Sequence, residues 1–325
     1  MKVIIPAAGM GTRLRPHTYT TPKTLVHVAG RPILAHIVES VIHIDALSEL
    51  IFIVGESGDQ IREYIIANYD VPSTYIRQVS PRGLGHAVSL AKERAAGEPV
   101  LILLDDGVLE VDAQQILQSP HTIIGVKEVD APQNFGIVEI EGEFISRLVE
   151  KPEHPPTNLA IAGMYYVRDS RLLFECLDEL IERNIRTKNE YQLTDGLQLM
   201  LEHGEKMKAE QINWLDCGKP EALLETNQYL LAKCPQIYDF PDSVIIPPVF
   251  IGDGVTVKHS VIGPYASIGD GVQISSAIIK NAVIHPDARI QNILLNQSII
   301  GPSARIVGNF HSLNVGSASQ IDLGV

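Results

Sequence analysis

The sequence predicts an α/β protein in two parts: a mainly parallel sheet with helices on both faces over residues 1–234, then a parallel β-helix over 235–325. Up to about residue 232, apolar runs alternate with amphipathic stretches at the spacing of strand–helix–strand units. Beyond Pro235, aliphatic residues recur in steps of six or five and are often followed by Gly or another small residue. That is the hexapeptide pattern of a chain wound into triangular coils. A length of 325 residues accommodates two ordinary domains, and 45% hydrophobic with 20% charged residues is the balance of a globular protein.

Strands are expected at 2–6, 50–54, 74–79 and 100–104, where apolar runs are short and continuous, with helices near 31–45, 58–69 and 84–96 between them. Runs at 122–127, 136–140, 144–149 and 159–167 carry fewer helical signals and predict a mixed region flanking that sheet. Helices near 169–183, 191–203 and 219–232 complete the domain. In the second part Ile251, Val257, Ile262, Ile268, Ile274, Ile279, Ile284, Ile290, Leu295, Ile300 and Ile306 mark the repeat. Each should point into the prism, with a small residue at each corner, giving a little over three coils. A β-sandwich would show longer strands and steps that do not cluster near six.

Charge and composition exclude several classes. A net charge of −13 argues against nonspecific nucleic-acid binding, although a phosphorylated substrate needs only a few local cations. No stretch approaches 18 uncharged apolar residues, and the start runs into a strand without a basic leader, so neither a membrane span nor a signal peptide is expected. Cys176, Cys217 and Cys234 are far apart and unpatterned, which is cytoplasmic usage without a disulfide framework or zinc spacing.

The most informative segment is Pro6-Ala-Ala-Gly-Met-Gly-Thr-Arg-Leu-Arg-Pro16 with Thr21-Pro22-Lys23, directly after the apolar run Val3-Ile4-Ile5. A glycine-rich turn leaving a strand offers backbone N–H groups to phosphate oxygens, and Arg13 and Lys23 add two cations. The dinucleotide fingerprint lacks its third glycine here, and no Walker Gly-Lys-Ser/Thr occurs. The combined segment resembles the signature of sugar-phosphate nucleotidyltransferases. With the repeat, and with the closing segment Asn309–Gly316, the chain is similar to the long form of glucose-1-phosphate thymidylyltransferases, a Rossmann-like domain followed by a left-handed β-helix.

The resemblance implies attack by a sugar-1-phosphate oxygen on the α-phosphorus of a nucleoside triphosphate. The nucleophile is already ionised, so the site must align phosphates and neutralise their charge. Arg13 would hold the leaving pyrophosphate, Lys23 would sit between the α-phosphate and the sugar phosphate, and Lys151 of Glu150-Lys-Pro152 would bind the sugar phosphate. Ala8, Gly9, Gly11 and Thr12 would cradle the nucleotide. Magnesium, a hard ion suited to oxygen ligands, is the implied cofactor. Its ligands would be Asp106, at the carboxyl end of the strand Leu101–Leu104, and Asp216 of Trp214-Leu-Asp-Cys-Gly218. Asp105, at the family's usual glycine position, is the alternative to Asp106. Gly136, Glu150 and, more weakly, Asn158 would contact the sugar.

Base selection is expected in Gln78–Ala87, where Gln78 and Gly83 offer paired donor and acceptor bonds to a pyrimidine, with His86 supporting the loop. Uracil and thymine differ by one methyl group, so dTTP and UTP both remain open. Other readings are a catalytically inactive nucleotide-sugar-binding regulator and a guanylyltransferase acting on mannose 1-phosphate. An acyltransferase β-helix is a third, for which His259, His285 and His311 lack catalytic context. The expected partners are small-molecule substrates and a second copy of the chain, a homo-oligomer formed through residues 245–325.

Overall fold

The computed structural model describes residues 1–111 and 113–309, and the chain divides into two compact units, Met1–Thr226 and Asn227–Val325. The first opens with Lys2–Ala7 (β1), a small hairpin of His27–Val28 (β2) and Arg31–Pro32 (β3), Ile33–Glu39 (α1) and Glu49–Val54 (β4). Gly58–Asn68 (α2), Ser73–Arg77 (β5), Leu84–Ser89 (α3), Lys92–Ala95 (α4) and Val100–Leu103 (β6) follow. Next come Gly107–Glu110 (β7), Ala113–Leu117 (α5), Thr122–Glu128 (β8), Gly136–Glu141 (β9), Phe144–Glu150 (β10) and Leu159–Val167 (β11). Ser170–Glu182 (α6), Leu193–Glu202 (α7), Met207–Gln211 (β12), Asn213–Asp216 (β13) and Pro220–Lys233 (α8) complete the series, α8 crossing into the second unit.

One sheet runs β10-β9-β11-β6-β1-β4-β5, with β8 pairing β11 and β12. The strands β6, β1, β4 and β5 are parallel, with Ile4 opposite both Ile51 and Ile102. Every residue of β4 is buried, as a parallel strand covered on both faces requires. The runs expected to flank the sheet instead extend it: β11 pairs antiparallel with β6, β8 and β9. Its pairing with β8 shifts between Ile161 and Tyr165, where Gly163 takes φ 73°.

Two helices are shorter than the periodicity predicts. α1 ends at Glu39, and residues to Leu47 form turns that still bury Val41 and Ile44, so the apolar spacing outlives the helix. The helix expected over 84–96 breaks between α3 and α4, where the Leu90 and Ala91 N–H groups bond three residues back to Ala87 and Val88. The strands β7, β12 and β13 were not expected, being short and partly polar.

In the second unit short parallel strands form three faces of a β-helix. Ile251 lies opposite Ile268 and Ile268 opposite Ile284, so a coil of 17 residues shortens to 16. The repeat residues from Ile251 to Leu295 form one buried cluster, against which Ile300 packs half-buried. The corners take left-handed backbone in register columns: Gly254, Gly271, Asp287 and Ser303; His259, Ser276 and Asn292; Tyr265, Asn281 and Gln297. Corner residues are therefore not uniformly small. Asn, Asp and Gly tolerate this conformation best, and the β-helix core holds the bulkier residues in it. His285 is buried where the strand ending at Ile284 meets the corner at Asp287, while His311, the segment Phe310–Gly316 and the tail lie outside the described residues.

Candidate active site

The β1 strand ends under the glycine turn. Gly11 has φ 58° and its carbonyl accepts a 2.7 Å hydrogen bond from the Thr18 hydroxyl. A Cβ at Gly11 would meet the Lys23 Cβ at 2.9 Å, so this position requires glycine both for backbone and for space. The short helical turn Thr12–Leu14 follows, anchored by fully buried Leu14 while Arg13 faces outward.

Arg13 lines a cavity of about 680 Å³ together with Asp106, Phe135, Lys151, Asp216 and Lys219. A second cavity of about 340 Å³ shares Arg13, Asp106, Phe135, Lys151 and Trp214, and adds Gly136, Glu150, Glu190 and Thr194. Residues as distant in sequence as Arg13 and Asp216 thus converge on one cleft, between the ends of β1, β6, β10 and β13. Phe135 and Trp214 meet edge to face at 5.7 Å and form its aromatic wall.

The two carboxylates are joined by backbone. β7 and β13 pair antiparallel with Gly107 opposite Asp216, and the Cys217 N–H donates to the Asp106 carbonyl at 2.8 Å. A Cβ at Gly107 would lie 2.3 Å from Trp214 Nε1, so only glycine admits this approach. Burial raises the Asp216 pKa above its ordinary value and the Asp106 charge adds to it, while the Gly218 N–H, Arg13 and Lys23 oppose the rise. Asp105 is pushed up to about 6, first by burial and then by Asp106, against the pull of Lys23. Asp106 and Asp216 line the larger cavity and Asp105 does not. Lys23, only 8% exposed, lines neither cavity; its charge is felt at Asp105 and Asp216.

On the opposite wall Lys151 holds a left-handed backbone with φ 44°, and its N–H donates to Phe135 O at 3.0 Å. Its ammonium lies 3.2 Å from Glu150 Oε1, while Glu150 Oε2 accepts a 2.7 Å bond from the Thr194 hydroxyl. A Cβ on Gly136 would come within 2.9 Å of both Glu150 Oε2 and Thr194 Oγ1. Gly136 therefore makes room for the carboxylate and its partner.

Gln78 is buried, its amide donating to Gly83 O at 3.3 Å and meeting His86 Nδ1 at 2.9 Å; it braces the loop and lines neither cavity. Burial, then the charge of Arg82, lowers the His86 pKa. Gly83 (φ 110°) packs against the Tyr191 backbone, where a Cβ would approach the carbonyl to 2.5 Å. Ala8, Gly9, Gly11 and Thr12 lie on the turn beside Arg13 without lining either cavity, and Asn158 is exposed outside both.

Sequence reasoning assigned no role to Lys188, Glu190, Thr194 or Lys219. Thr187 and Glu190 exchange backbone hydrogen bonds of 3.0 and 3.1 Å across a tight turn whose central residues, Lys188 and Asn189, have φ 53° and 67°. The turn brings Lys188 to the larger cavity and Glu190 to the smaller. Tyr191 fixes it: Arg82 and Arg186 lie over its ring at 4.9 and 4.6 Å, and its hydroxyl donates to Asn184 Oδ1 at 2.8 Å. The polar run Arg186–Glu190 signals a turn but not what it faces.

A family model described as nucleotidyl transferase matches residues 2–233. A low-salt glycan biosynthesis nucleotidyltransferase of Haloferax volcanii is 34% identical over 71% of this chain and 66% of its own length. A bifunctional protein GlmU of Methanocaldococcus jannaschii is 36% identical over 72% of this chain, a match spanning only 55% of that relative. A glucose-1-phosphate thymidylyltransferase of Streptomyces antibioticus is 29% identical over 97% of this chain and 93% of its own. Among solved structures, a UDP-glucose pyrophosphorylase bound to UDP-glucose shares the fold, with a TM-score of 0.62 and 24% identity over 71% of this chain and 98% of that one.

Proposed function

The chain belongs to the nucleotidyl transferase family, and from that premise we propose that it joins a pyrimidine nucleoside triphosphate, dTTP or UTP, to glucose 1-phosphate. The observation that carries this reading is the convergence of Arg13, Lys151, Asp106 and Asp216 on one cavity from four separate segments. A phosphate oxygen of the sugar forms a bond to the α-phosphorus. The α–β bridging bond breaks, and its electron pair leaves on pyrophosphate.

Arg13 neutralises the departing pyrophosphate and Lys151 orients the sugar phosphate, so the residues supply alignment and charge rather than a base. Glu150, held by Thr194, accepts sugar hydroxyls. Gln78 and Gly83 shape the base-reading loop. Ala8, Gly9, Gly11 and Thr12 hold the nucleotide phosphates. Lys23 lends its charge to the α-phosphate and the sugar phosphate from beside Asp105 and Asp216, whose carboxyls feel it.

Asp106 and Asp216 would hold magnesium. The donor set fits: two carboxylates share a cavity with cations, and burial, with the Asp106 charge added to it, raises the Asp216 pKa. Magnesium keeps several water and substrate-phosphate ligands, so two carboxylates are enough to hold it. When bound, the ion would supply charge neutralisation at the phosphates. A cytoplasmic homo-oligomer belongs to the same reading; no helix among the described residues is long and apolar enough to cross a membrane.

The test is pyrophosphate release from each nucleoside triphosphate in turn with glucose 1-phosphate or mannose 1-phosphate in the presence of magnesium. Release with dTTP or UTP is expected. Release only with GTP and mannose 1-phosphate, or binding without turnover, overturns the assignment.

A further inference from the structure

The second unit carries a groove of about 350 Å³ along one outer face of the β-helix, far in sequence from every residue of the cleft. The face is built from Thr256–Lys258, Gln273–Ser275, Arg289–Gln291 and Arg305–Val307, stacked in parallel register. In each strand the central residue, Val257, Ile274, Ile290 or Ile306, turns toward the prism interior. The residues on either side must therefore point outward, in two columns. One column reads Thr256, Gln273, Arg289, Arg305 and the other Lys258, Ser275, Gln291, Val307. The columns are the walls of the groove.

Its chemistry is one-sided. Lys258, Arg289 and Arg305 line it with hydroxyl and amide side chains, and no carboxylate does. The neighbouring corner carries Asp270 and Asp287, yet Lys258, Arg289 and Arg305 form no ion pair among the described residues. Arg289 and Arg305 are direct register partners on adjacent strands, an arrangement in which like charges repel. In a chain of net charge −13, three of the five lysines and arginines of residues 227–325 stand on this face, and two of them oppose each other. An anion lying between them would remove that repulsion.

We propose that this groove binds a phosphate-bearing small molecule. Two guanidinium forks stacked one coil apart match the oxygens of a phosphate or diphosphate, Lys258 supplies a point charge, and Gln273, Ser275 and Gln291 donate neutral hydrogen bonds. The concavity and its volume suit a diphosphate or a nucleotide. An acidic protein surface would need a broad flat face instead. The phosphate comes either as an inorganic anion or on an organic carrier.

Titration calorimetry of the full chain distinguishes these, using inorganic phosphate, pyrophosphate and uridine diphosphate as probes. The unsubstituted chain should bind pyrophosphate at two classes of site, the cleft and the groove. Arg289→Ser with Arg305→Ser should weaken one class about tenfold or more and leave the other, and turnover without added phosphate, unchanged. Lys258→Gln, with a far-ultraviolet spectrum matching the parent, should give a smaller loss in the same class. Uridine diphosphate binding this class more tightly than pyrophosphate identifies an organic carrier, and equal affinity identifies the inorganic anion. Identical isotherms for parent and double variant overturn the proposal. So does a double variant that binds normally but changes molecular mass in light scattering, since the face would then be a contact between copies.

Discussion

The two units use glycine and left-handed backbone for opposite purposes. In the first, Gly11, Gly83, Gly107 and Gly136 stand where a Cβ would collide with one particular neighbour, each at 2.9 Å or less. In the second, left-handed residues recur at every corner, and Asp287, Asn292 or Tyr265 fill the role as well as Gly271. The first unit spends conformational freedom on single contacts, the second on periodicity. A site needs unique positions; a coil needs interchangeable ones.

The largest expected break in that comparison is in the β-helix core. Ile279, fully buried between register partners Ile262 and Leu295, should cost about 2–5 kcal/mol when changed to Ala. Denaturation should show the loss, while turnover of the folded protein stays near the parent's. A proportional fall in turnover would show that the β-helix takes part in chemistry.

Next in size, Asp106→Asn and Asp216→Asn should each lower turnover by roughly a hundred- to a thousandfold, with thermal unfolding little changed. Removing divalent metal with EDTA should do the same. A dead Asp105→Asn beside an active Asp106→Asn would move the ligand by one residue.

Gly136→Ala sharpens the contrast further. Its Cβ would push Glu150 and Thr194 apart, and overpacking of this kind costs about 1–3 kcal/mol. The expected signature is a raised KM for glucose 1-phosphate with a smaller fall in kcat. The reverse pattern would detach Glu150 from the sugar. By comparison, substitution of the exposed Gln297 by Gly at a β-helix corner should be nearly silent.

The smallest effect has two signs. Lys188→Gly relieves a left-handed lysine and should stabilise the fold by up to about 1 kcal/mol. The same change removes a cation from the larger cavity, so pyrophosphorolysis should slow. A variant that is both more stable and fully active would show that Lys188 touches no phosphate.

The difference between the units also decided what the sequence disclosed. Periodicity is a local signal, so the β-helix coils and β1, β4 and β6 were readable from apolar spacing. β7 and β13 were not, because four partly polar residues 106 positions apart become strands only on meeting each other. Arg13, Lys151, Asp106 and Asp216 could be named from motifs, and the structure brings them to one cavity. Lys23 and Gln78 come from the same motifs yet are buried beside the cleft rather than lining it. A motif shows that residues belong together without showing which side chain faces out. Lys188 and Thr194 had no motif, since they reach the cleft through the turn fixed by Tyr191.

The strand Leu159–Val167 pairs antiparallel on one side with Val100–Leu103, the edge of the parallel strands, and on the other with Thr122–Glu128, with Gly136–Glu141 touching it at Ala160. It is the seam along which the first unit's sheet would part. Its ladder is already interrupted between Ile161 and Tyr165, and those two residues with Gly163 line the smaller cavity. Any sliding of one half-sheet past the other must therefore be absorbed at this interruption. Slip there would change the width of the smaller cavity while leaving the strands on either side intact.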